Sequence, residues 1–182
     1  MELMMGSDPP LTNNSEISEA ELRSFHSKAF HWALSLTQGD HEDAKEIMQK
    51  VYLKIYEGQA RYVASPEASL KTWLFAVIKR TTHEHRRNIW KRLFRENPSL
   101  STDSSEENRD FFSPESLDQR KRVLAALQSL PDRQKQIIEL VTYHDLTVAE
   151  AARVMDVSLG SARTHYHRAK EKLRQLLKGE LV

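Results

Sequence analysis

The stretch Asn97–Ser113, NPSLSTDSSEENRDFFS, does most to limit how this chain of 182 residues can fold. It is rich in Ser, Asn and acid and has little to bury, so it cannot offset the entropy lost on ordering its own backbone. It predicts a flexible linker that divides the chain at about residues 96 and 113, leaving each half to build its own core. On both sides of it, apolar residues recur every three or four positions, the period of a helix. Only 5 Gly and 6 Pro are present, and strand-like runs of Val, Ile and Thr are scarce. The expected fold is all-α, with two small helical domains on a flexible acidic linker. The boundaries are a disordered tail over 1–17, a first domain over 18–95, the linker over 96–113 and a second domain over 114–182.

Local signals place the helices. Ser18 with Glu21 reads as a capping box opening a helix that carries Leu22, Phe25, Ala29, Phe30, Ala33, Leu34 and Leu36 before Gly39. Asp40 caps a second, with Ala44, Ile47, Met48, Val51, Tyr52 and Ile55 on one face and Gly58 as its stop. Ser65-Pro66-Glu67 suggests a short helical turn. Leu70, Trp73, Leu74, Val77, Ile78 and Thr81 then begin one long helix that runs into HEHRRNIWKRLFR. Beyond the linker, Ser113-Pro114-Glu115 opens a helix presenting Leu117, Val123, Leu124 and Leu127. Pro131 starts the next, with Ile137, Ile138, Leu140 and Val141 inward. Thr147 and Glu150 box a short helix ending near Met155, and Ser158 caps a long last one.

A net charge of +1 conceals segregation along the chain. Lys79–Arg95 holds seven basic residues against the single acid Glu84, and Glu96–Asp118 holds seven acids against Arg109. Arg163–Lys178 holds six basic residues against Glu171. Two cationic surfaces flanking an acidic tether point to nucleic acid. In the last helix Ala162, Tyr166, Ala169, Leu173 and Leu176 are spaced to pack inward, leaving Arg163, Thr164, His165, His167, Arg168 and Lys170 outside. Short helix, tight turn and long basic helix make a helix-turn-helix suited to a major groove.

Other chemistries find little support. Without cysteine there is no disulfide, thiol or Cys-ligated zinc chemistry. No apolar run approaches the roughly 18 residues that cross a bilayer, and the N-terminus lacks a secretory pattern. The eight histidines show no zinc-protease spacing, no carboxylates cluster with them in sequence, and they read as surface or phosphate-contacting groups. No enzyme activity, cofactor or metal is expected. A helical nuclease would need an acidic metal cluster, which is not found.

Taken together the halves resemble the extracytoplasmic-function (ECF) group of bacterial RNA polymerase sigma factors, over roughly residues 20–178. Asp40–Tyr56 looks like the family's region 2.2, which implies docking on core polymerase through Asp43, Glu46, Gln49 and Leu53. Ser69–Arg92 looks like regions 2.3 and 2.4, which open the promoter and capture an unpaired minus-ten base. That implies strand contacts from Lys79, Arg80, Arg86 and Arg87, with Arg61, Tyr62 and Val63 near the base pocket, while Trp73 reads as core. Leu130–Gln136 and Ser158–Lys170 look like region 4, which implies minus-thirty-five recognition by Ser161, Arg163, Thr164, His165 and Arg168. By the same resemblance the acidic linker threads the RNA exit path, and an anti-sigma factor, often membrane-bound, is an expected partner.

Three positions depart from the family pattern: Arg80 where Asn is usual, Asp156 at a turn often filled by Gly, and His165 where Arg is common. The implied function is a cytoplasmic sigma factor that directs core polymerase to promoter DNA. The alternative is a stand-alone helix-turn-helix regulator, which leaves the first half unexplained.

Overall fold

Seven α-helices appear in a computed structural model, which describes residues 17–64, 68–93 and 114–177. They are α1 (Glu19–Leu36), α2 (His41–Tyr56), α3 (Leu70–Leu93), α4 (Pro114–Gln128), α5 (Asp132–Thr142), α6 (Val148–Met155) and α7 (Leu159–Leu177), with no β-strand among the described residues. The expected tail (apart from Ile17), the turn at Ser65-Pro66-Glu67 and the linker lie outside the described residues.

The caps form where local chemistry puts them. Ser18 and Glu21 close the box on α1, and the Asp40 carboxylate accepts from the Asp43 N–H at the start of α2. α6 ends at Asp156, which takes the left-handed conformation at φ 55°, ψ 54°, open to Asp at modest cost. The Ser158 hydroxyl accepts from the Ser161 N–H at 3.1 Å to open α7.

Packing differs from the expectation that each half closes its own core. α3 is central, with α1 and α2 against one side and α6 against another. Trp32, Leu74 and Phe75 of the first half lie in one hydrophobic cluster with Ile137, Leu140, Leu146, Ala151 and Met155 of the second. α3 therefore buries Thr72 and Phe75 as well as the expected Leu74, Val77, Ile78 and Thr81. Three inward assignments are corrected. Val123, Leu124 and Leu176 are exposed, because the small cluster against α7 is built from Leu127 and Leu130 with Ala169 and Leu173.

The α6 box also joins the halves. Glu150 accepts from the Thr147 N–H at 2.8 Å through one carboxylate oxygen and from the Thr72 hydroxyl at 3.1 Å through the other. Burial raises the Glu150 pKa, but the Thr147 backbone and hydroxyl, the Thr72 hydroxyl and the Lys71 charge outweigh it, leaving it below the ordinary 4.5. A depressed carboxylate contributes stability that is present above that value and lost as pH falls through the folded one. Glu150→Gln is expected to cost about 1 kcal/mol at pH 7, the scale of one cap, with the difference shrinking as pH falls below the ordinary 4.5 and gone once the folded carboxyl is protonated. Urea unfolding of both proteins across pH 3–7 checks it.

Candidate nucleic-acid interface and docking face

On α2, Asp43, Glu46, Gln49 and Leu53 recur every three or four residues and form one outward stripe. Gln49 is exposed, Leu53 is 53% exposed, and Tyr56 extends the line at 72%. Tyr56 was not among the expected contacts, although its place three residues after Leu53 puts it there. The other end of the stripe is tied to α3. His85 Nε2–H donates to Asp43 Oδ1 at 3.2 Å, and Lys50 Nζ donates to His85 Nδ1 at 2.9 Å and meets Glu46 Oε1 at 2.6 Å.

This corrects the reading of the histidines. His85 is 5% exposed and His144 fully buried, so neither is a surface group. Carboxylates also gather at one of them: Asp43, Glu46 and His85 bring ligand atoms within 4.8 Å of one another. The Lys50 ammonium stands among them and supplies positive charge there. His83, two residues from His85, points outward, as the helical period requires.

The basic part of α3 separates into two environments. Arg80, His83 and Arg87 share an exposed stripe beside the exposed Arg86, open to the phosphates of a strand. Lys79 is half-buried and donates to the Met155 carbonyl at the end of α6, which also accepts from Arg133 Nη1 at 3.2 Å. Burial and then Arg133 push the Lys79 ammonium down to about 8, with Asp156 opposing.

Arg61 folds back, its Nε–H donating to the Gly58 carbonyl at 3.2 Å. The Tyr62 hydroxyl donates to the Ala68 carbonyl at 3.1 Å, and its ring stands 5.6 Å from Trp73 at 56°. Trp73, expected in the core, sits half-buried at its edge and keeps part of its ring beside Tyr62. This aromatic pair lies about 20 Å along α3 from Arg87.

On α7, Ser161, Thr164 and Arg168 are exposed on one stripe, with His165 half-buried at its margin. Arg163 shares a different stripe with the exposed His167 and Lys170, so the five candidates are divided between two sides of the helix. Thr164 donates its hydroxyl to the Gly160 carbonyl at 3.0 Å, which leaves it an acceptor.

A helix-turn-helix with an outward cationic helix, joined to a helical unit with a second cationic stripe, has the features of a nucleic-acid-binding protein. The family follows from comparison. The family model described as Sigma-70 region 2 matches residues 22–92, and that described as Sigma-70, region 4 matches 120–173. The chain belongs to the sigma-70 family.

It is similar to the RNA polymerase sigma factor CarQ of Myxococcus xanthus, 27% identical over 141 residues that cover 76% of each chain. It is also similar to the ECF RNA polymerase sigma-E factor of Escherichia coli, 26% identical over 141 residues and 71% of each. Among solved structures it shares its fold with the sigma factor RpoE crystallised with the anti-sigma factor NepR from Bartonella quintana. That match has a TM-score of 0.69 and 20% identity, and covers 89% of this chain and 97% of that one. CnrH, solved in complex with the cytosolic domain of CnrY, matches with a TM-score of 0.56 and 18% identity, covering 88% of each.

Proposed function

We propose that this protein is an ECF-type sigma factor that binds core RNA polymerase, directs it to promoter DNA and assists melting, without making bonds itself. The observation that carries the reading is the joint match to regions 2 and 4 on a chain whose α7 keeps its cationic face outward. A stand-alone regulator would account for α4–α7 but not for a region 2 unit with a docking stripe on α2. Core polymerase meets Asp43, Glu46, Gln49 and Leu53. Arg61, Tyr62, Arg80, Arg86, Arg87 and, when accessible, Lys79 hold the minus-ten strand, and Ser161, Arg163, Thr164, His165 and Arg168 read the minus-thirty-five element. The working boundaries are 18–95 and 114–182, joined by 96–113 and preceded by a tail over 1–17, and the site of action is the cytoplasm.

The solved relatives RpoE and CnrH were captured with NepR and the cytosolic domain of CnrY. That supports an anti-sigma partner for this chain too. No described helix is long and apolar enough to cross a membrane.

The deciding experiment is co-migration of purified protein with bacterial core RNA polymerase on a sizing column at moderate salt, followed by promoter selection with the reconstituted holoenzyme. Co-migration is expected. A folded protein that elutes apart from core returns the assignment to a stand-alone regulator.

A further inference from the structure

On α7 the direction of hydrogen bonding is set before any DNA arrives. The Thr164 hydroxyl lies 3.0 Å from the Gly160 carbonyl one turn back. A carbonyl oxygen only accepts, so Thr164 donates its one hydroxyl proton inward. Toward solvent it presents the lone pairs of Oγ1 and a methyl group. Turning that proton outward gives up the Gly160 bond, so the acceptor form is the one α7 offers.

Ser161 has the opposite polarity. Ser158 Oγ accepts the Ser161 N–H at 3.1 Å and donates to Ser161 Oγ at 2.9 Å. Ser161 Oγ is thereby an acceptor toward the cap, and its own proton remains free to donate outward. Four residues past Thr164, the exposed Arg168 adds a guanidinium, which only donates. The three side chains lie within about 10 Å along one stripe, short enough to meet neighbouring base pairs. Thr164 is the acceptor between two donors.

The bases answer these polarities unequally. In the major groove a donor is met by N7 of either purine, O6 of guanine or O4 of thymine, and phosphate oxygens take it as well. Ser161 therefore discriminates little. An acceptor is met only by an exocyclic amine, on N6 of adenine or N4 of cytosine. Guanine and thymine set their own acceptors against Oγ1. Each base pair holds one such amine, so an acceptor in a fixed place selects the strand that carries it.

We infer that Thr164 is a specificity-determining residue: its hydroxyl, held as an acceptor by Gly160, selects adenine or cytosine on one strand at one position of the DNA that α7 reads. Placing that position in the minus-thirty-five element rests on the sigma reading; the polarity of Thr164 does not.

Thr164→Val keeps the methyl and the β-branch and removes the hydroxyl at an exposed position, so α7 remains folded, which circular dichroism checks. Thr164→Ser keeps the hydroxyl. Holoenzyme reconstituted from the full-length protein selects promoters from a pool randomised across the minus-thirty-five element. One position is expected at which the unsubstituted protein and Thr164→Ser enrich adenine or cytosine on the same strand. There Thr164→Val should lose the preference by about tenfold, the scale of one hydrogen bond. The amine at that position is then deleted from the DNA, with purine replacing adenine or 2-pyrimidinone replacing cytosine. The unsubstituted protein should lose about tenfold relative to Thr164→Val, because the weakened base pair affects both alike. Ser161→Ala should lower binding by less than about threefold, and evenly across bases.

An unchanged preference in Thr164→Val, a loss spread evenly over all four bases, or an amine deletion felt equally by both proteins overturns the assignment. So does a thymine preference that survives in Thr164→Val, which makes the methyl the contact. Failure to form holoenzyme overturns the sigma reading instead. The free full-length chain then selects from random duplex with the same variants, and the same outcomes judge Thr164. A chain that selects no sequence in either setting overturns the inference too.

Discussion

Trp32→Ala is expected to lower the unfolding free energy by about 3–5 kcal/mol. At an m-value of about 2–3 kcal/mol per M, the urea midpoint falls by about 1–2 M. Trp32 is fully buried, lies stacked on Phe75 at 6.2 Å and 11°, and donates its indole N–H to the Phe75 carbonyl at 3.2 Å. Alanine loses the transfer energy of a large ring and leaves a cavity between α1 and α3 that neighbouring helices can only partly fill. Because His144 meets the same ring edge-on, the cavity opens on the contact between the halves as well. Val63→Ala is the control: at 76% exposed, it should stay within about 0.5 kcal/mol. A Trp32→Ala midpoint matching that control would mean the ring is not part of the folded core.

Trp32 also marks what the sequence does not reveal. Caps are legible because their partners are three residues apart, as with Ser18 and Glu21 or Thr147 and Glu150. The left-handed turn at Asp156 and the outward stripes of α2 and α7 are equally local. Burial imposed by the other half is not. Phe75 and Thr72 fall off the apolar stripe that fits α3 as a one-sided helix, and they are buried where the second half reaches α3, Phe75 against His144 and Thr72 bonded to Glu150 of α6. His144 follows a helix end, where polar residues are ordinarily exposed, and Trp32 and Phe75 from the first half pack edge-on against it.

The site divides along the same line. Arg80, Arg86, Arg87 and Arg168 are exposed, as a charge run suggests, since nothing nonlocal reaches them. Lys79 sits in the same run, but its acceptor lies 76 residues away. His85 is drawn inside by Lys50 and Asp43 across the α2–α3 contact. A charge pattern gives the sign of a surface; which of its members remain on that surface depends on what packs against it.

That distinction sets the second large effect. Arg163→Ala combined with Arg168→Ala is expected to lower promoter-dependent transcription at least about thirtyfold while leaving co-migration with core polymerase unchanged. A lost base or phosphate contact costs about 1–3 kcal/mol, and about 2 kcal/mol in total already corresponds to that factor. The two residues lie on different stripes of α7, so their losses should add rather than overlap. Polymerase binding is expected to be spared because the proposed docking stripe is on α2, which packs against α1 and α3. The single variants should differ in kind. Arg168 shares its stripe with Ser161 and Thr164, so its loss should relax base preference within the minus-thirty-five element. Arg163, with His167 and Lys170, is placed for phosphate, and its loss should weaken binding evenly across sequences and reduce the salt dependence by about one counterion. Holoenzyme transcription from a selected promoter, from single-base variants of it and across 50–200 mM salt reads all three effects. Unchanged transcription from the double variant would remove α7 as the recognition helix and leave the α3 stripe to carry the DNA contact alone.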